Sequence, residues 1–114
     1  MTTKKTIEST TPSEFLENET NLREASRVLG LLSHPVRLKI VCQLSEAGEL
    51  SVGDLWENTD FSQSALSQHL AKLRQAGLVT TRRQQQSIFY RIARDDVAQL
   101  LHTLHELYCP RKSR

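Results

Sequence analysis

Residues 61–92 read FSQSALSQHLAKLRQAGLVTTRRQQQSIFYRI, and this stretch decides the fold. Ser62 has the side chain of a helix N-cap, and Gly77 is the residue type with which helices most readily stop. The spacing predicts a helix between them, over 62–75. Leu66, Leu70 and Leu73 recur at helical intervals and form a narrow apolar stripe that packs inward. Ser64, Ser67, Gln68 and Ala71 centre on the opposite side, with Gln63 at the exposed N-terminal edge. Beyond the glycine, residues 78–83 and 88–93 alternate well enough to be two strands. The polar link Gln84–Ser87 joins them as a hairpin.

Working outward, Ser51 with Asp54 three residues later opens a short helix over 51–58 that contains Leu55 and Trp56. Two helices with a short turn between them form a helix-turn-helix, with 51–58 as the support and 62–75 as the reader. Upstream, Pro35 suits the first turn of a helix carrying Val36, Leu38, Ile40, Val41 and Leu44 and ending before Gly48. Ser13 is the expected cap of a first helix running to about Leu32, with a break near Asn18–Thr20. Its Leu22, Ala25, Leu29 and Leu32 share one face. Downstream, Asp95 and Asp96 begin a last helix at its favourable, positive end. That helix presents Val97, Leu100, Leu101, Leu104, Leu107 and Tyr108, and Pro110 ends it. The expected architecture is mainly α with a two-stranded β-hairpin wing, in the order α-α-α-α-β-β-α. Residues 1–12 read as a disordered arm, 13–109 as one winged helix-turn-helix domain and 110–114 as a basic tail.

A chain of 114 residues makes one small domain, and dimerisation is a natural way for it to bury more apolar surface. The net charge of +2 is too small to argue for a polyanionic partner. Its distribution says more. Segment 60–94 sets Lys72, Arg74, Arg82, Arg83, Arg91 and Arg94 against Asp60 alone, so the whole basic surplus lies in the helix and hairpin. No apolar leader or membrane-length apolar run is present, and two cysteines without an export signal point to the reducing cytoplasm. Four glycines leave little for a phosphate cradle, and neither a Ser-His-Asp order nor paired carboxylates suggest an enzyme.

The reader helix has a neutral, short-chained face that can sit close to base edges. Glutamine can make paired bonds to adenine, and serine can donate or accept. Gln63, Ser64, Ser67 and Gln68 are therefore the candidate base contacts, while Lys72 and Arg74 suit phosphates. At the hairpin, Arg82, Arg83 and Gln85 would flank the groove, the arginines neutralising phosphates or entering the minor groove. His69 turns to the flank of the apolar stripe, as a packed or phosphate-touching histidine. The bland alternative for 62–75 is an ordinary amphipathic surface helix.

The segments LLSHPVRLKIVCQL, LSVGDL, SQSALSQHLAKLRQAGLVTTRR and IFYRI resemble the ArsR-type winged-helix repressors over roughly residues 22–109. The resemblance implies a homodimer built on the first and last helices. It also implies cytoplasmic transcriptional control by an inducer, through binding to double-stranded DNA with an imperfect inverted repeat. The metal sites of the family do not transfer. Where an arsenic-type site has Cys-Val-Cys, this chain has Ser51-Val52-Gly53-Asp54. Where a zinc-type site wants Asp-x-His and a later His, the positions hold Val97, Ala98, Tyr108 and Cys109. No metal or other cofactor is expected. His102 and His105 remain, either as surface or interface histidines or, with Cys109, as an alternative metal-responsive set.

Cys42 lies within the second helix and Cys109 at the end of the last. From the residues alone, they are either a buried structural thiol and an incidental terminal one, or a pair; two cysteines 67 positions apart do not disclose their connectivity. Cysteines at these two positions, in VCQL and LYCP, resemble a dithiol branch of the family, the BigR, SqrR and HlyU kind, which senses reactive sulfur and redox state. That resemblance implies release of the operator when Cys42 and Cys109 are bridged by reactive sulfur species or oxidant. The expected regulator is a repressor, and the HlyU-like features leave open the alternative of an activator that displaces a silencing protein.

Overall fold

The computed structural model describes residues 12–109, so the expected N-terminal arm, apart from Pro12, and the basic tail lie outside the described residues. The chain divides into two compact units, with the boundary between Ser33 and His34.

The first unit holds α1 (Pro12–Glu17) and α2 (Glu19–Leu32). Pro12 is already helical, so Ser13 lies inside α1 and is not its cap; the fixed φ of proline suits a first helical position. The predicted break falls at Asn18. Its backbone N–H donates to Glu14 O at 3.1 Å and ends α1, while its side chain accepts from Asn21 N–H at 3.0 Å and caps α2. Val28 and Leu32 are the buried positions of α2, whereas Leu29 is 56% exposed. One member of the expected stripe differs: Leu32 is buried as expected, but Val28 is buried in place of Leu29, about 100° away on the helix.

The second unit follows the order α3 (Pro35–Ala47), β1 (Leu50–Ser51), α4 (Val52–Glu57), α5 (Gln63–Gln75), β2 (Val79–Gln84), β3 (Ser87–Ile92) and α6 (Asp95–Tyr108). His34 caps α3 through Nδ1, which accepts from Val36 N–H at 3.2 Å. Gly48, at φ 86°, ends it in a conformation that side chains with a Cβ resist. The hairpin forms as expected, with Val79 opposite Ile92 and Gln84 opposite Ser87. The sheet also gains a third strand. Leu50 and Ser51 pair antiparallel with Tyr90 and Phe89, giving the order β1-β3-β2. Two residues are too few to show an alternating pattern in the sequence. Ser51 also opens α4 as its spacing to Asp54 implies, capping the helix by accepting from Asp54 N–H at 3.1 Å.

The core of this unit is a set of aliphatic side chains: Ile40, Val41 and Leu44 of α3, Leu55 of α4, Leu66, Leu70 and Leu73 of α5, Leu78 and Val79 at the hairpin, and Val97 and Leu101 of α6. Burying each is worth about 1.5–3 kcal/mol, which is what seats the polar face of α5. α5 packs on α3 and β2, and α6 packs on α3 and β3.

Candidate nucleic-acid interface and thiol groove

The local sequence builds α5 at both ends. Ser62 Oγ accepts from Ala65 N–H at 3.1 Å. At the other end Gly77, with φ 82°, donates to Arg74 O, and Leu78 N–H reaches back to Leu73 O, each at 3.0 Å. These bonds satisfy carbonyls that a helix end leaves open and turn the chain directly into β2. The turn between α4 and α5 is tied internally, with Trp56 Nε1 donating to Phe61 O at 3.1 Å and Asn58 Nδ2 to Asp54 O at 2.8 Å.

Gln63, Ser64, Ser67 and Gln68 are all exposed on α5, as are Ala71, Lys72 and Arg74. Among the described residues, none of these polar side chains makes an internal hydrogen bond or ion pair. Their donors and acceptors are therefore available to a ligand. His69 is half-buried beside His34, the ring centroids 4.6 Å apart and the planes inclined at 57°. Burial pushes the His69 pKa down, and the nearby His34, Arg37 and Lys72 push it the same way.

The wing residues have different fates. Arg83 and Gln85 are exposed, and Gln85 occupies the left-handed region at φ 57° in the two-residue turn. Arg82 is engaged by Glu49, with Nε to Oε2 at 2.7 Å and Nη2 to Oε1 at 2.9 Å. The pair lies 33 positions apart in the chain, and nothing in the local sequence around either residue announces it. The hydrogen bond from Arg82 holds the Glu49 carboxyl below its ordinary range, and the reciprocal bond raises the guanidinium.

On α3 and α6, Cys42 and Cys109 line one groove of about 640 Å³, with Leu38, Leu101, Leu104 and Tyr108 among its walls. Both are free thiols. Cys42 is half-buried, and Cys109 is exposed at the C-cap of α6, its backbone N–H donating to His105 O at 2.9 Å. Burial raises the Cys42 pKa, and negative charge at Cys109 and Glu46 raises it further. The two sulfurs are thus close enough for charge at Cys109 to act on Cys42. Glu46 is a member of this site that the sequence alone does not single out; its Oε2 lies 3.9 Å from His105 Nδ1, across the groove. His102 faces Glu106 of its own helix at 3.9 Å. Among the described residues, no three His, Cys, Asp or Glu side chains converge to hold a metal ion, so His102, His105 and Cys109 do not form a ready ligand set.

The profile described as "Bacterial regulatory protein, arsR family" matches residues 34–81, from the cap of α3 into β2. The transcriptional activator HlyU of Vibrio cholerae is 44% identical over 98 residues, which is 86% of this chain and 90% of that one. The structure of reduced HlyU from Vibrio cholerae superposes with a TM-score of 0.78 at 45% identity, covering 82% of this chain and 98% of that chain. The transcriptional repressor BigR from Xylella fastidiosa gives a TM-score of 0.79 at 41% identity, covering 90% of this chain and all of that one. No helix among the described residues is long and apolar enough to cross a membrane. With its winged helix-turn-helix and relatives matched over most of their length, the chain belongs to the ArsR family of DNA-binding transcriptional regulators and is not an enzyme.

Proposed function

We propose that this regulator binds an imperfect inverted repeat in double-stranded DNA as a homodimer, and releases it when Cys42 and Cys109 become covalently bridged. Gln63, Ser64, Ser67 and Gln68 read base edges from α5, and Lys72, Arg74 and Arg83 hold phosphates. The second copy docks on α2 and α6, whose exposed Leu29, Leu107 and Tyr108 give it apolar surface to cover. The observation that carries the sensing half is the meeting of two thiols, 67 positions apart in the chain, in one groove. A metal-free thiol switch fits a reducing cytoplasm, where disulfides are transient and signalling.

The chemistry balances with an organic persulfide, RSSH, as oxidant. The exposed Cys109 thiolate attacks the outer sulfur, becoming Cys109–SSH and releasing RSH. The Cys42 thiolate then attacks the Cys109 sulfur and expels hydrosulfide, leaving a Cys42–Cys109 disulfide. Two thiols lose two electrons in total, and the transferred sulfur is reduced to sulfide. A disulfide holds its Cα atoms roughly 4.4–6.8 Å apart, so the bridge pins the end of α6 to α3. If α6 carries the dimer interface, that constraint alters the spacing of the two reader helices. A full switch in occupancy, from 99:1 to 1:99, requires the two redox forms to differ by about 5.5 kcal/mol in DNA binding.

The test treats purified protein with polysulfide, peroxide or zinc, and measures intact mass and operator affinity together. Polysulfide should add a bridge and release the DNA. A Cys42→Ser variant that still releases DNA on polysulfide treatment sinks the thiol switch. Release on zinc addition after both thiols have been alkylated would favour the metal-responsive reading through His102 and His105.

A further inference from the structure

Arg82 and Arg83 are neighbours in sequence and both basic, yet they are not equivalent. Successive side chains on a strand point to opposite faces. Arg82 lies directly across from Phe89 in the β2–β3 pairing, with its guanidinium carbon 4.8 Å from the centroid of that ring. Phe89 in turn pairs with Ser51 of β1 on its other side. Glu49 immediately precedes β1, and both its carboxylate oxygens accept from the guanidinium of Arg82. The remaining terminal nitrogen, Nη1, donates to Gln84 Oε1 at 2.7 Å. The Glu49–Arg82 pair therefore spans the width of the three-stranded sheet over the Phe89 ring. It joins the outer strand of the wing to the segment that leads, through the Ser51 cap, into α4 of the helix-turn-helix.

We infer that Glu49 and Arg82 are a positioning pair that sets the wing relative to the helix-turn-helix, and that Arg83, not Arg82, makes the wing's phosphate contact. A bidentate carboxylate both neutralises the guanidinium and occupies the fork that a phosphate would take. Planarity matters here. Lysine has no fork and cannot reproduce the two parallel bonds, whereas it serves well as a point charge against phosphate. The inference rests on the reading of the wing as a DNA-facing element.

The experiment uses the full chain and a duplex recovered by selection from random sequence. Affinity is measured across a salt series for wild type, Arg82→Ala, Arg82→Lys, Arg83→Ala and Glu49→Gln. Wild-type affinity for the selected duplex tests the DNA reading separately from the inference. Loss of one phosphate contact flattens the slope of log K against log salt by about 0.9. Arg83→Ala should show that loss. Arg82→Ala, Arg82→Lys and Glu49→Gln should each weaken binding several-fold with the wild-type slope, and lysine at 82 should not rescue. A Glu49→Gln variant that binds as well as wild type or better overturns the inference. So does a slope loss in Arg82→Ala that Arg82→Lys restores. Unfolding midpoints for each variant separate displacement of the wing from loss of the fold. If Arg82→Ala does not fold, Glu49→Gln and Arg82→Lys still decide the matter.

Discussion

Helix α5 and the β2–β3 wing share the basic surplus of this chain, but their side chains are anchored differently. α5 is held by Leu66, Leu70 and Leu73, all shut off from solvent, and its polar face is left open. The wing buries Val79 at its base, while its turn end, from Arg82 to Ser87, is exposed. Where α5 is positioned by apolar burial, the wing is steadied by an exposed polar clamp, with Arg82 committed to Glu49 and Gln84. Two basic residues adjacent in the sequence can therefore differ, one engaged within the chain and the other exposed. In α5 the anchors and the candidate readers come from the same 13 residues, and helical geometry separates them. In the wing, a residue far away in the chain engages one of the two arginines.

The largest expected effect tests the anchoring side of this contrast. Leu73→Ala should destabilise the fold by about 2–5 kcal/mol, the range for a large-to-small change in a packed core, and chemical denaturation measures it. Arg82→Ala should leave the unfolding midpoint almost unchanged. Comparable losses in the two variants would erase the distinction between a packed helix and a clamped wing.

Next in size is the division of labour within α5. Gln68→Ala should relax base choice at one position by about 1–3 kcal/mol of discrimination, read from a binding-site selection. Lys72→Ala should weaken binding to all sequences and flatten the salt dependence by about 0.9 in slope. An unaltered base preference in Gln68→Ala would remove that residue from the readers.

The smallest effect concerns the seat of α5 on α3. The His69 pKa is depressed in the folded chain, so between that value and the unfolded value near 6.5 the unfolded chain binds more protons. Stability from this site is fully present above about pH 6.5 and declines as the pH falls toward the folded pKa, below which it changes no further. A His69→Gln variant should therefore lose less stability than wild type between pH 7.5 and pH 5.5. Equal losses in urea titrations at the two pH values would show that the His34–His69 contact does not govern acid sensitivity.

How far the site was legible in the sequence follows the same division. The helix order, the hairpin, the Ser62 cap and the Gly77 stop each depend on residues a few positions apart, and all can be read directly. The exchange of Leu29 for Val28 on α2 is a case where periodicity found the helix and the buried Leu32 but not every inward position, since two adjacent aliphatic residues satisfy the same pattern. β1 was not legible, because a two-residue strand exists only through its partners Phe89 and Tyr90.

By itself, then, the sequence determined the winged helix-turn-helix and the polar, exposed face of α5, because capping, periodicity and turn chemistry act over one or two helical turns. It also supplied two cysteines that local physics left unrelated and only the family resemblance paired. Tertiary structure alone decided that Cys42 and Cys109 share a groove, that His34 lies against His69, and that Glu49 takes Arg82. Each of those pairs depends on how separate elements pack, and no local pattern along the chain encodes which side chains such packing brings within reach.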